Sequence, residues 1–246
     1  MADTRRDRGP HPADRELFGP AALPRLREAV AHLGWLLERG YALPSSLKLV
    51  GDRFALVARQ RTALMRCACA PSAARARRAR AVPPAELGGQ VLLLDGYNVL
   101  TAVEAALAGG VLLLGADGCV RDMASMHGTW RRVRQTDPAL ERIAASAAEL
   151  GLAGLRWYLD RPVSNSGRLA ARIAALAQER GWPWEVRLVQ SADAVLARAA
   201  ETVATTDSAV LDRCGRWFDL AGHVVRTQLP QAWVVDLRAG PPPAAP

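Results

Sequence analysis

Four aspartates stand where carboxylates can do chemistry together. Asp95 directly follows the apolar run VLLL, Asp160 directly follows LRWYL, Asp207 follows VATT, and Asp193 comes shortly after the run that ends at Val189 and Gln190. In a parallel sheet the carboxyl ends of the strands share one edge, so the four acids are expected to converge there. Two carboxylates about 5 Å apart repel by roughly 3 kcal/mol at an effective dielectric of about 20, so such a cluster must take up protons or a cation. Oxygen ligands without His or Cys favour a hard ion, Mg²⁺ or Mn²⁺, over zinc. An ion held that way acidifies its water and neutralises charge on a phosphoryl oxygen, which is what hydrolysis of a phosphodiester requires. Taken singly, each aspartate is as well explained as a helix N-cap worth about 1 kcal/mol. Asn98, one helical turn beyond Asp95 in DGYN, could add a neutral oxygen or hold a carboxylate in place, and Asp122 could serve as a further ligand or a group just outside the ligands.

Other side chains could bind a substrate. In RPVSNSGR, residues 161–168, Asn165 and Arg168 precede a helix whose free N–H groups could cradle a phosphate. In RDMASMHGTWRR, His127 and Arg131 could touch the same substrate. Further upstream, Arg59, Arg61 and Arg66 fall on the expected solvent side of a short helix, where they could meet a nucleic-acid backbone.

These groups need elements to hold them. Short apolar runs at Val91–Leu94, Leu155–Leu159, Val186–Val189, Val203–Thr205 and Trp233–Leu237 alternate with helical stretches at Pro138–Leu150, Gly167–Arg180, Ala192–Ala200 and Ser208–Leu220. That alternation predicts an α/β fold with a mainly parallel sheet and flanking helices over residues 90–240. Gly110–Leu114 and Cys119–Arg121, joined by a DG turn, read as an inserted hairpin. Before this lies a small all-α basic domain, residues 21–69, with three helices compatible with a helix-turn-helix or with a plain helical hairpin. Residues 1–20 read as a disordered lead, 70–89 as an Ala/Arg/Pro-rich linker and 241–246 as a tail.

Composition narrows the class. The 246 residues are 50% hydrophobic and 23% charged, enough apolar material for a packed core and too much for wholesale disorder. Residues 1–88 hold 16 basic and 8 acidic side chains against 16 of each in the remainder, so the net charge of +8 lies wholly in the first third. Four cysteines with neither knuckle nor ladder spacing exclude a zinc ribbon and a cystine scaffold. No apolar run approaches the roughly 18 residues of a membrane span, and a cytoplasmic protein with no membrane partner is expected. No glycine-rich phosphate loop follows the first strand, which argues against a nucleotide-binding domain. Nothing in the pattern fixes an oligomeric state.

The segments VLLLDGYNVL, LRWYLDRP, SADAVLARAA and VATTDSAVLD resemble, in that order, the acidic motifs of PIN-like nucleases of the NYN branch, over roughly residues 90–237. The resemblance implies a PIN-like fold, Mg²⁺ or Mn²⁺ at Asp95, Asp160, Asp193 and Asp207, and cleavage of RNA more readily than DNA. The whole layout, with KLVGDRFAL, QRTALMR, RDMASMHGT and DRPVSNSGRL, also resembles an uncharacterised prokaryotic family, domain of unknown function family 434. The hairpin and the RDMASMHGTWRR segment are longer than a minimal PIN domain needs. A metal-dependent ribonuclease with a basic nucleic-acid-binding module is therefore one expectation; a non-catalytic nucleic-acid-binding adaptor with a vestigial acidic pocket is the other.

Overall fold

The computed structural model describes residues 8–123 and 128–238. A helical region opens the chain, with α1 (Asp14–Leu17), α2 (Leu23–Glu38), α3 (Leu43–Arg53), α4 (Ala58–Cys67) and α5 (Pro71–Ala79). Prolines in the first turns of α2, α3 and α5 set those starts, because a missing N–H costs nothing there. The α/β region follows as β1 (Val91–Asp95), α6 (Gly96–Leu107), β2 (Leu112–Leu114), β3 (Val120–Asp122), α7 (Thr136–Glu149), β4 (Gly154–Asp160), α8 (Ser166–Arg180) and β5 (Trp184–Val189). It ends with α9 (Ala192–Leu196), β6 (Val203–Ala204), α10 (Ser208–Leu211), β7 (Trp217–Phe218), α11 (Leu220–Gln228) and β8 (Val234–Asp236).

Five strands form a parallel sheet in the order β5-β4-β1-β6-β7. The chain builds outward from β1 through β4 to β5, then returns to the other side of β1 to lay down β6 and β7. The strand order therefore reverses beside β1, and a crevice at the carboxyl edge of such a switch is where open α/β sheets place their sites. Strand β1 is apolar almost throughout and buried from Leu92 to Asp95, as a central strand covered on both faces must be.

The helix after it, α6, is buried nearly all round and lies between the main sheet and a second sheet of order β3-β2-β8. That burial explains its near-continuous apolar sequence. Gly96 permits the crossing: a Cβ there would meet Leu159 Cδ2 at 2.5 Å and the Tyr158 carbonyl at 3.0 Å.

Several elements differ from the sequence expectation. The run Trp233–Leu237 contributes β8 to the second sheet, parallel to β2, instead of extending the main one. The helix expected over Ser208–Leu220 stops at Leu211, and Trp217–Phe218 becomes the edge strand β7. Within the expected disordered lead, α1 buries Asp14; within the expected linker, α5 buries Ala74 and Arg77. The helices of residues 21–69 share one apolar core with the second sheet, where Leu26, Leu33 and Leu64 pack with Leu113, Val235 and Leu237. Among the described residues no helix is long and apolar enough to cross a membrane.

Candidate active site

The sheet delivers its acids to one edge. Asp95 is the last residue of β1 and the N-cap of α6, Asp160 is the last residue of β4, Asp193 lies in the first turn of α9, and Asp207 follows β6 as the N-cap of α10. Asp95 is buried, at 3% exposure, and is held from two sides. Thr205 donates its hydroxyl to Oδ2 at 2.9 Å, and the Asn98 side-chain amide donates to the same oxygen. The Asn98 backbone N–H also reaches Oδ1 at 3.4 Å. Asn98 thus fixes the carboxylate, one of the two roles read for it from DGYN.

Burial pushes the Asp95 carboxyl up to about 7, and the negative charges of Asp193 and Asp207 push the same way against the hydrogen bonds from Thr205 and Asn98. Burial also raises Asp193, with Asp207 and Asp160 adding to it. Asp95, Asp193 and Asp207 therefore feel one another along this edge, and Asp160 reaches them through Asp193, as like charges do when brought close in a medium less polar than water.

Two of them also hold backbone. Asp160 Oδ1 accepts the Ala192 N–H at 2.8 Å, tying β4 to the start of α9. Asp207 Oδ1 accepts from Ala209 and Val210 at 2.8 and 3.1 Å, capping α10. Each keeps its second oxygen without a hydrogen bond among the described residues, and so do both oxygens of Asp193. No three His, Cys, Asp or Glu side chains among the described residues form a group that could hold a metal ion.

The remaining sequence candidates separate into groups. Asp122 stands apart from these acids: it accepts from Thr101 Oγ1 at 3.1 Å and faces Glu104, further along α6. Thr101 lies about 9 Å along the helix axis from Asp95 at 1.5 Å per residue, so Asp122 is remote from the site. Asn165 occupies the cap of α8 at φ 68° but does not cap it; its side-chain amide donates to the Trp130 carbonyl at 3.0 Å. This bond, with the Thr129–Ser164 bridge, sets Arg131 next to the loop that leads into Arg168. Both arginines are exposed. His127 lies outside the described residues.

The upstream arginines are committed elsewhere. Arg59 is bidentate on buried Asp14, with Nη2 2.8 Å from Oδ2. Arg61 bonds Asp52 Oδ1 at 2.8 Å and the Leu56 carbonyl at 2.8 Å. Arg66 donates to the Asp122 carbonyl at 3.0 Å. Helical phase puts them on the outer side of α4, where Arg59 meets α1, Arg66 meets β3 and Arg61 pairs at the surface with Asp52 of α3, so all three expected nucleic-acid contacts already have protein partners. The rings of Trp182 and Trp184 lie 4.5 Å apart, tilted by 35°, and wall a cleft of about 410 Å³ with Gly154 and Leu155, at the opposite end of β4 from Asp160.

A group that sequence reasoning missed sits behind Asp207. Arg121 and Arg77, both buried, share the carboxylate of Asp117 and reach the loop on either side of Asp207. Arg77 stands in the run ARARRARA, where nothing distinguishes the one arginine that turns inward.

Residues 84–223, more than half of the chain, match the family described as a domain of unknown function (DUF5616). The chain belongs to that family. The match contains all four acids, Asn98 and the two arginines Arg131 and Arg168. Residues 25–80 match a second family, described as a protein of unknown function (DUF434), so the likeness to family 434 expected across the whole layout is met over the helical region. An uncharacterized protein of Methanocaldococcus jannaschii is 25% identical over 186 residues, covering 76% of this chain and 88% of the relative. No solved structure matches the chain.

Proposed function

We propose that this protein is a metal-dependent phosphodiesterase of PIN-like type acting on nucleic acid, RNA in preference to DNA. The observation that carries the reading is the convergence of Asp95, Asp160, Asp193 and Asp207 from four strand-to-helix junctions on the edge where the strand order reverses. Oxygen ligands with unbonded oxygens on Asp160, Asp193 and Asp207 suit the chemistry of Mg²⁺ or Mn²⁺, ions that take one or two carboxylates and keep several waters. Such an ion, when bound, supplies charge neutralisation and an acidified water. Asp193 with Asp207 or with Asp160, one or two carboxylates at a time, would hold it. Asp95, anchored by Thr205 and Asn98, has a carboxyl raised to about 7 by burial, so positive charge beside it would favour its ionised form. The exposed guanidinium groups of Arg131 and Arg168, beside the end of β4, offer contacts for the phosphates of a strand crossing the edge. The preference for RNA follows the NYN resemblance.

The test is calorimetric titration with Mn²⁺ together with cleavage of a labelled single-stranded RNA. Wild-type protein is expected to bind Mn²⁺ and cleave, and Asp207→Asn to lose both while circular dichroism shows the fold intact. Cleavage unchanged in Asp207→Asn would dismiss the mechanism.

A non-catalytic adaptor is the second reading, favoured by the helix-capping bonds of Asp160 and Asp207. It predicts salt-sensitive RNA binding that survives Asp95→Asn, with no Mn²⁺ binding and no turnover.

A further inference from the structure

The segment from Thr205 to Ser208 carries Asp207 with very little regular structure: β6 spans only Val203–Ala204 and α10 only Ser208–Leu211. Elements this short do not fix a side chain by themselves. Besides the Thr205 hydroxyl, this segment is held by an ionic lattice of buried Arg77, Arg121 and Asp117 with half-exposed Asp212 at its rim. Arg121, on β3, is 6% exposed and sends Nη1 and Nη2 to the two oxygens of Asp117 at 2.8 and 2.7 Å, while its Nε donates to the Thr206 carbonyl at 2.8 Å. Arg77, on α5, is 3% exposed and sends Nη1 to Asp117 Oδ2 at 2.7 Å. Its Nε and Nη2 grip Asp212, past the end of α10, at 2.7 and 2.9 Å. Its remaining contacts go to Ser208, Nη1 to Oγ at 3.3 Å and Nη2 to the carbonyl at 3.4 Å.

Two cations and two carboxylates balance, and every guanidinium nitrogen of the two arginines meets an acceptor. That completeness is what makes a buried ionic group tolerable, and the planar fork is what lets one side chain bond a carboxylate and a carbonyl in fixed relative orientation. The carbonyls on both sides of Asp207 are thereby pinned from two different parts of the chain. Arg77 lies in the segment that matches the second family, residues 25–80, whereas Arg121 and Asp207 lie in the 84–223 match.

We propose that Arg77 and Arg121 are positioning residues for Asp207: sharing Asp117, they fix the backbone on either side of that acid, so the helical region contributes directly to the geometry of the acidic edge. The chemical consequence rests on the phosphodiesterase reading; the positioning itself does not. Partners that orient ligands in this way typically govern about 10–100-fold in metal affinity.

The test uses the full chain with Arg121→Lys and Arg77→Lys, which keep the charge and lose the fork, and with Ile143→Ala, a buried substitution on α7 that lowers stability away from this lattice. Amide hydrogen exchange reads the loop without any metal: in the two lysine variants the amides of Asp207, Ala209 and Val210 should exchange roughly tenfold faster than in wild type, and in Ile143→Ala they should not. Mn²⁺ calorimetry reads the consequence, a loss of about tenfold or more in affinity in the lysine variants alone. Unchanged exchange in both lysine variants, or equal acceleration in Ile143→Ala, overturns the proposal. If wild-type protein binds no Mn²⁺ while the exchange pattern is as expected, the positioning of Asp207 stands and the phosphodiesterase reading falls. Should Arg121→Lys fail to fold, Ser208→Ala replaces it; that variant removes one contact of Arg77 and should speed exchange at Ala209 and Val210.

Discussion

Asp95 and Asp207 are joined through one side chain. The hydroxyl of Thr205 donates to Asp95 Oδ2 at 2.9 Å and accepts the backbone N–H of Asp207 at 3.0 Å. A hydroxyl can do both because it has one proton to give and lone pairs to receive. The buried acid of the central strand is thus in register with the acid of its neighbour across the switch point. Replacing Thr205 with Val, which keeps the shape and removes the hydroxyl, should cost about 1–2 kcal/mol in urea unfolding. Because the Thr205 bond lowers the Asp95 pKa, the same change should move the pH dependence of Mn²⁺ binding upward.

Asp95 itself sets a pH dependence. Its carboxyl sits at about 7 in the folded chain against an ordinary value of 3.8, so between those limits the native state holds a proton that the unfolded chain has released. Stability from this group is therefore present below the ordinary value and is lost as pH rises through about 7, on the order of a few kcal/mol in all. Asp95→Asn should raise the melting temperature at pH 8 and leave it nearly unchanged at pH 4. It should also weaken Mn²⁺ binding and slow cleavage, because a negative charge at this edge is lost. Melting curves at the two pH values check the first statement, and calorimetry the second.

Asp117 and Asp212 serve the same arginine but should not matter equally. Burial alone would raise Asp117, yet the guanidinium groups of Arg121 and Arg77 outweigh it and hold the carboxyl well below its usual range. Its contribution is present above the ordinary value of 3.8 and is lost as pH falls below it. Asp117→Asn leaves two buried cations short of a partner and should destabilise by about 3–5 kcal/mol. Asp212, with a side chain 48% exposed, should cost less than about 1 kcal/mol as Asn. Denaturant midpoints of the two variants decide this.

The arginines divide by what they touch. Arg131→Ala and Arg168→Ala should each raise KM for an RNA oligonucleotide several-fold and lower the slope of log affinity against log salt by about 1, with kcat and folding unchanged. Arg59→Ala should do the reverse, leaving RNA affinity alone and destabilising the chain by about 3–5 kcal/mol through the unpaired, fully buried Asp14. Filter binding at several salt concentrations and urea unfolding separate the two groups.

Local rules are enough to place Asp95, Asp160, Asp193 and Asp207. Each ends an apolar run or opens a helix, and a run too short and too uniformly apolar to be a surface helix is a buried parallel strand. The DG-turn hairpin was legible for a similar reason, since the turn and its flanking runs adjoin in the chain. Helical phase likewise located α2 and α4, but it could not say what would lie on their outer faces. Arg59 looks solvent-facing until α1, far away in sequence, brings Asp14 against it.

The order of the strands, the departure of β8 into a second sheet, the remoteness of Asp122 and the inward turn of Arg77 all depend on contacts between distant segments. No local pattern encodes those, because a side chain's partner is chosen by whichever element packs beside it. The sequence alone determined which acids would be presented and at which ends of which strands. Only the tertiary structure decided which of them feel one another's charge, how Thr205 links two of them, and that buried Arg77 and Arg121 stand behind Asp207. Identity and spacing are local properties of the chain, whereas burial and charge pairing exist only once the segments have met.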